Sequence, residues 1–511
     1  MTPILSVAQM REVDKRAIGN DSAVGFRYMQ RAGRGLFHAA RELLPDSSSG
    51  EVAVVCGKGN NGGDGYVVAG MLHDAGYRVM CFSLVPFEEL RGECLQAYRE
   101  FESRQGNVML LDDIADFRAG NFRLIIDALL GTGIQGDPHG LFASMINAIN
   151  NSGVPVLAAD TPSGLNNDTG VPGNPCIRAT MTVTMGYAKA GLYFHPGREL
   201  AGRLIVESLD YPEDIVASVA PPCHLPTIEF LRGLLPRRRP SGSKFDHGQV
   251  LLVGGSPGMA GSITLAAEAA MRCGCGMVHC VFPQSLSDVL SIKLTEPVLH
   301  AMPQTQTGTL DRSAIDPLLA LSASRQVLCI GPGLSHEPST SHLVRELVTR
   351  CTLPTVLDAD GLNAFKRAVD DLERHAGPLI ITPHAGEWER LFGALESAPL
   401  ERIRQVKAMS RRLRATILLK GNPTVVTGTE DSAFILPFGN SALAKAGSGD
   451  VLSGVIASLA AQGAPVIEAA ILGAYLHGTA GVIAAQSITE YSVVARDVVA
   501  ALAQSIRTLL Q

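Results

Sequence analysis

The chain has no pair of C-x-x-C motifs at zinc-ligand spacing. Its 10 cysteines are scattered, and the closest two are Cys273 and Cys275. A cysteine zinc site is thereby excluded, and the cysteines read as small buried thiols of a reducing compartment. Nor is there a surplus of positive charge. The formal net charge is −6, which leaves no basic face for nucleic acid. The local run Arg237-Arg238-Arg239 reads as a linker or a solvated face. The opening Met1-Thr2-Pro3-Ile4-Leu5-Ser6 has neither a basic n-region nor an apolar h-region, so no secretory leader is expected and the location expected is cytoplasmic. No short repeat period runs through the chain, which argues against a solenoid. Charge nearly vanishes between Val451 and Thr489, where Glu468 alone is charged. That run also carries Gln462, Tyr475, His477, Gln486 and several glycines, so it reads as two buried core helices and not as a membrane span.

What the chain does have is length and alternation. A chain of 511 residues exceeds one hydrophobic core, and two domains are the default. The first half alternates apolar strand patterns (52–56, 78–84, 108–111, 124–130, 154–160, 181–185, 204–208) with amphipathic helices such as 62–75 and 141–151. Runs such as Leu124-Ile125-Ile126 are apolar on both faces, as parallel strands covered by helices must be. The fold class expected is α/β, beginning with a Rossmann-like three-layer sandwich. Helical patterns at 7–18 and 26–44 precede it and are expected to pack on it or on a neighbouring subunit. The proline-rich Ala220-Pro221-Pro222-Cys223-His224-Leu225-Pro226 marks a break. The domains expected are 1–220 and 244–511, joined by a linker over 221–243. The second domain repeats the alternation, with strands at 250–253, 278–282, 327–330, 355–357, 379–381 and 416–419. Ligands of open parallel sheets sit beyond the carboxyl ends of strands, so the polar residues there are the candidates.

Three strand ends stand out in the first half. Gly57-Lys58-Gly59-Asn60-Asn61-Gly62-Gly63-Asp64-Gly65 lets backbone amides approach a phosphate at a helix N-terminus. Asp127-Ala128-Leu129-Leu130-Gly131-Thr132-Gly133-Ile134-Gln135-Gly136-Asp137 supplies a second glycine-bearing loop, and Asp160-Thr161-Pro162-Ser163-Gly164-Leu165 a third segment. Asn60, Asp127 and Ser163 are hard oxygen donors able to hold a monovalent or divalent cation beside a phosphate. Asp160 is a candidate acid or base, or a ribose contact. Each feature alone also fits a helix cap or a turn; three at corresponding strand ends favour a site.

On these motifs the first two fifths of the chain resembles the N-terminal epimerase domain of the bifunctional NAD(P)H-hydrate repair enzymes. The resemblance implies epimerisation of the R and S hydrates of NADH and NADPH at C6 of the nicotinamide ring, with Asp160 catalytic. It implies potassium on Asn60, Asp127 and Ser163. It also implies hydrate contacts from Asn61, Gly62, Gly63, Asp64, Gly131, Thr132, Gly133, Ile134, Gln135, Gly136, Asp137 and Asp160. Asn166-Asn167 departs from the family, which commonly has an acidic residue after the leucine.

The second half ends its strands in another set. Ala446-Gly447-Ser448-Gly449-Asp450 opens a helix whose N-terminus forms an anion hole, with Asp450 placed to take a proton from a substrate hydroxyl. Gly254–Ser262, Gly331–Leu334, Asp358–Asn363, Thr382–Glu387 and Lys420–Thr424 surround it in the sequence pattern. From about Phe245 onward the motifs P-G-M-A-G-S, G-P-G-L, D-A-D-x-L-N, T-P-H-x-G-E, L-K-G and A-G-x-G-D-V-L-x-G resemble the ribokinase-like superfamily and, more closely, the dehydratase domain of the same repair enzymes. That implies a ribokinase-like α/β domain. Ala260, Gly333, His384 and Asp450 would face the hydrate, and Asp450 would be catalytic. Lys420, Gly421, Asn422, Pro423, Thr424 and Gly449 would face the nucleotide. The fused arrangement implies ADP with magnesium, releasing AMP and phosphate. Two departures stand out: Asn422-Pro423, where Pro423 brings no amide donor, and Ser441-Ala442-Leu443-Ala444-Lys445. The partners expected are the hydrates and ADP, with a possible homo-oligomer and neither nucleic acid nor membrane. Two other functions fit the same residues: a ribokinase-class small-molecule kinase with an accessory domain, and a non-catalytic nucleotide-binding regulator.

Overall fold

A computed structural model describes residues 1–511 apart from Asn20, 45–49, Ile134, Gln135 and Asp431. The chain folds as two units. One is Pro3–Pro222 with Ala398–Leu400; the other is Cys223–Ser397 and Glu401–Gln511 with Met1–Thr2.

The N-terminal unit is built on a seven-stranded sheet, parallel throughout. In spatial order its strands are Asn107–Leu110, Arg78–Ser83, Glu51–Cys56, Phe122–Ala128, Val156–Ala159, Met181–Met185 and Arg203–Glu207. The chain starts in the middle, winds outward to one edge, then returns and winds to the other. The switch therefore lies between Glu51–Cys56 and Phe122–Ala128, the pair whose diverging loops leave a crevice for a ligand. Alternate side chains of Glu51–Cys56 feed two cores. Val52, Val54 and Cys56 join Leu36, Tyr66 and Phe101 on one face, whereas Ala53 and Val55 join Phe82, Phe117 and Ile146 on the other. Helix Val7–Ile18 is fixed at its start by a capping box, in which Ser6 and Gln9 satisfy each other's backbone N–H. Helix Ser22–Leu43 lies on Asn60–Asp74, and Gly33 permits the approach: a Cβ there would come within 2.3 Å of Val67 Cγ1. Both early helices thus pack within their own unit.

The second unit repeats the logic with different wiring. Its strands run, in space, Cys223–Leu225, Ala433–Leu436, Thr424–Thr427, Thr416–Leu419, Leu379–Ile381, Thr355–Leu357, Val327–Ile330, Gln249–Val253, Met277–Pro283 and Val298–Met302. Pairing is parallel from Val298–Met302 across to Thr416–Leu419, and antiparallel through the two hairpins that follow. The switch lies between Gln249–Val253 and Val327–Ile330. Helices Ser448–Ala461 and Val466–Ser487 occupy the apolar run. The second is long and apolar enough to cross a membrane by length and composition, yet 67% of its most apolar window is buried inside the protein. Its apolar surface is used in packing, in one core with Ser448–Ala461 and Ala495–Leu510.

The linker expected over 221–243 needs correction. Cys223–Leu225 is a strand paired with Ala433–Leu436, and Ile228–Leu234 is a helix capped by Thr227. Leu231 is fully buried, Phe230 stacks on Phe434, and Arg232 Nε donates to Leu509 O at 2.8 Å. The second unit begins at Cys223, and the apolar residues that follow the proline-rich stretch join its core.

Candidate active sites

In the N-terminal unit the crevice at the sheet switch is a cleft of about 710 Å³. Asn60, Asn61, Asp64, Gly131, Thr132, Gly133, Asp137 and Asp160 all line it. Gly62 and Gly63 do not; their work is packing. A Cβ on Gly62 would stand 2.0 Å from Gly57 O, and one on Gly63 would strike the Met29 side chain at 2.5 Å. The first is an encounter with backbone and cannot relax by rotation. Gly62→Ala should therefore lower the stability of this unit by about 1–3 kcal/mol, read as a drop in its thermal midpoint, while an alanine at the open Gly59 should not. Gly136 (φ +80) turns the loop into Asp137, whose Oδ1 accepts from Asn174 N at 3.0 Å. Ile134 and Gln135 lie outside the described residues.

Asp127 and Ser163 meet although 36 positions apart. Ser163 Oγ donates to Asp127 Oδ1 at 2.6 Å, and Ser163 N to Oδ2 at 2.8 Å. Both residues are fully buried. Burial, only partly offset by the Ser163 and Leu129 hydrogen bonds, pushes the Asp127 carboxyl up to about 6. Asn60 and Asn61 differ sharply. Asn60 is exposed at the first position of its helix, whereas Asn61 is buried with neither amide atom hydrogen-bonded among the described residues. Gly131 passes close to it, with room for no more than a tight contact against Asn61 Cβ.

Asp160 sits at φ +59, a conformation that Asp tolerates better than most residues. Its Oδ1 accepts from Lys189 Nζ at 2.7 Å, Thr184 Oγ1 at 3.1 Å and Met185 N at 3.1 Å. Lys189 is itself buried and makes its remaining bonds to Thr184 and the Met185 carbonyl. Sequence reasoning missed Lys189, and it missed Asp14, which shares the cleft and bonds Tyr211 Oη. Neither carries a local signal; their neighbours come from strands and helices distant in sequence.

In the C-terminal unit the polar strand ends also converge. Helix Ala260–Arg272 begins beside Gly333 (φ +65), where a Cβ would come within 3.0 Å of Ser262 Cβ and of Met259. Ser256 Oγ donates to Gly333 O at 2.8 Å and ties the two loops together. Ser262, one turn into that helix, hydrogen-bonds the Asp450 carboxylate. Gly447, in the left-handed region at φ +88, caps Ser448–Ala461, and Asp450 is that helix's third residue. Burial first, then the Asp358 charge, raises Asp450 to about 6, with Ser262 and Lys420 opposing. Behind it, Ser453 Oγ donates to Asp358 Oδ2 at 2.5 Å and Lys420 Nζ to Asp358 Oδ1 at 2.7 Å. Lys420 also lies 3.5 Å from Glu387 Oε2. A Cβ on Gly449 would be 3.5 Å from Lys420 Nζ, so Gly449 faces this ion-paired group directly. Lys420 is thus a partly buried, ion-paired cation and not a solvated strand end. Ser448 Oγ, at the mouth of the loop, is 3.1 Å from Nε2 of buried His477, whose imidazole burial holds down to about 4.

His384 has a second occupation. Its Nδ1 accepts from Gly386 N at 3.0 Å and Glu387 N at 3.4 Å, so it caps helix Ala385–Phe392 and its proton must sit on Nε2. The ring is half-exposed and its Nε2 lies 3.6 Å from Glu387 Oε1, within reach of a ligand. Lys420, Gly421, Asn422, Pro423 and Thr424 form the turn of the hairpin between Thr416–Leu419 and Thr424–Thr427, with a cis Asn422–Pro423 bond and Thr424 Oγ1 donating to Gly421 O at 3.0 Å.

Comparison with known proteins follows the same division. A family model described as YjeF-related protein N-terminus matches residues 26–191, and one described as NAD(P)H-hydrate dehydratase matches residues 250–504. The chain is 40% identical to the bifunctional NAD(P)H-hydrate repair enzyme Nnr of Moorella thermoacetica, over 99% of this chain and 97% of that protein. It is 34% identical to the protein of the same name from Salinibacter ruber, over 94% and 91%. Among solved structures, the ADP/ATP-dependent NAD(P)H-hydrate dehydratase from Bacillus subtilis, co-crystallised with ATP/Mg2+, is 27% identical over 56% of this chain and 99% of its own, with a TM-score of 0.47. Identity at this level across both units and nearly the full length of both partners shows that the chain belongs to the family of bifunctional NAD(P)H-hydrate repair enzymes.

Proposed function

We propose that the chain repairs hydrated NADH and NADPH. The N-terminal unit interconverts the R and S hydrates, and the C-terminal unit dehydrates the S form with ADP, releasing AMP and phosphate. The observation that carries this reading is the pairing of two separate switch-point sites in one chain, each with its own carboxylate for proton transfer. They are Asp160 in a cleft at one sheet and Asp450 at a helix N-terminus at the other.

In the dehydratase reading, Asp450 takes the proton of the C6 hydroxyl, and that oxygen attacks the terminal phosphoryl group of ADP. The N-terminal amides of Ser448–Ala461 and ion-paired Lys420 balance the charge that develops. AMP leaves the attacked phosphorus, the ring nitrogen lone pair then expels phosphate from C6, and a C5 proton passes to that phosphate, which restores the 5,6 double bond of the dihydronicotinamide. Ala260, Gly333 and His384 Nε2–H are assigned to the hydrate, and Gly449 with the 420–424 turn to the nucleotide. Magnesium would neutralise the phosphates. The nearby carboxylates Asp358 and Asp360 are already engaged, by Lys420 and by Ser335 N–H, which suits an ion carried mainly by its nucleotide.

Potassium fits the N-terminal unit by donor chemistry, with one change to the expected set. Asp127 and Ser163 offer hard oxygens in contact with each other, and the buried amide oxygen of Asn61, free of any partner among the described residues, is better suited as the third donor than exposed Asn60. A cation there would supply charge that the hydrogen bonds of Asp127 only partly provide.

Absorbance at 340 nm tests the whole reading. A mixture of R and S hydrates, with potassium and magnesium, should recover completely on adding ADP, beyond the S fraction and faster than spontaneous epimerisation allows. A stable phosphorylated product would instead indicate a kinase, and calorimetric binding without turnover a regulator.

A further inference from the structure

The epimerase cleft holds two carboxylates in opposite circumstances. Asp160 is engaged by three donors on one oxygen, including the Nζ of buried Lys189. Asp64 is buried beside it on the cleft wall with no hydrogen-bond donor among the described residues. Burial, reinforced by the charges of Asp160 and Asp14, pushes the Asp64 carboxyl far above the ordinary carboxylate range. The chain therefore presents two carboxyl groups in opposite environments to one cavity, one ion-paired and one buried without a donor, the arrangement by which environment divides acid from base. Asp64 comes from the helix after Glu51–Cys56 and Asp160 from the end of Val156–Ala159, with Phe122–Ala128 between those strands, and both side chains line the one cleft.

We propose that Asp64 is the general acid of the epimerisation and Asp160 its base, acting on opposite faces of the hydrated ring. This rests on the epimerase reading above. The carboxylic proton of Asp64 passes to the C6 hydroxyl. The C6–O bond breaks, its electron pair leaving with water, and the ring nitrogen lone pair closes a planar C6=N cation. A water molecule on the other face attacks C6 and yields its proton to the Asp160 carboxylate. The product has inverted configuration, with Asp64 anionic and Asp160 protonated, which is the form required for the reverse direction. Exchange with solvent restores the resting state, downhill because the Asp64 anion is poorly solvated and Asp160 regains its partner Lys189.

The test is Asp64→Asn in the full chain, with three readouts. These are the rate of R-to-S conversion above the spontaneous rate, incorporation of ¹⁸O from labelled water at C6, and affinity for the hydrate by calorimetry. The acid role predicts losses of about 10²–10⁴-fold in conversion and in label incorporation together, with affinity within about threefold of wild type. ADP-dependent dehydration of pure S hydrate by the same preparation reports that the chain is folded. Conversion near the wild-type rate, or an affinity loss equal to the rate loss, would overturn the acid role. Wild-type epimerisation without solvent label would overturn the water-loss route. Wild-type protein that leaves conversion at the spontaneous rate would overturn the epimerase reading itself, a result distinct from any of these.

Discussion

Asp450→Ala is expected to bind hydrate and nucleotide almost normally and to lose about 10²–10⁴ in kcat for dehydration, the range for removal of a general base. The side chain is half-buried, and Ser262 is its hydrogen-bond partner, so little of the fold depends on it. The wild-type pH profile should carry the same information. A base works only unprotonated, and burial with the Asp358 charge sets Asp450 near 6. Dehydration of S hydrate should therefore decline as pH falls through about 6, well above where an ordinary aspartate titrates. Initial rates at 340 nm across pH check it, with saturating ADP. A flat profile together with near-wild-type turnover of the alanine variant would remove Asp450 from the chemistry.

Why was Asp450 legible and Lys189 not? Asp450 stands in the first turn of a helix whose preceding glycine announces a tight approach, and parallel strands end in polar residues abruptly enough to be seen. The same contrast made the strands at Met181–Met185, Val327–Ile330 and Thr416–Leu419 readable, since each is uncharged and buried on both faces. Val298–Met302 went unread because it is an edge strand, partly exposed and interrupted by His300. Thr424–Thr427 and Ala433–Leu436 are apolar, but they follow a turn that was read for its nucleotide chemistry alone. Lys189 and Asp14 acquire meaning only through topology. Lys189 follows Met181–Met185, which lies beside Val156–Ala159, and so it reaches Asp160 across the sheet. Asn61 against Asn60 is a subtler case. Both belong to one motif, and helical phase alone decides which amide turns inward.

Lys420→Met should strongly destabilise the C-terminal unit. Asp358 is 1% exposed, and burial alone would raise its carboxyl. The Lys420 charge, with the hydrogen bonds from Lys420 and Ser453, outweighs burial and holds Asp358 below its ordinary range. Burial would likewise lower Lys420, yet Asp358 and Glu387 together hold it above its ordinary range. Removing the cation leaves a buried, unpaired carboxylate, a loss of about 3–5 kcal/mol. The sign of the pH dependence then distinguishes this account from a simple packing defect. In the wild type, Asp358 is depressed, so its contribution is complete above the unfolded carboxylate range and is lost as pH falls through the lower folded value. Lys420 is raised, so its contribution persists through neutrality and is lost only at alkaline pH. In Lys420→Met the folded Asp358 moves above its unfolded value. It then folds as the neutral acid, and its contribution, complete at low pH, is lost as pH rises from about 4 toward 7. Urea midpoints should therefore show a smaller deficit at pH 4.5 than at pH 7 (both values chosen about the ordinary carboxylate range). Adding Asp358→Asn should return part of the loss at pH 7 and flatten the difference. A deficit that is constant with pH, and unchanged in the double variant, would mean that Lys420 contributes bulk and not charge.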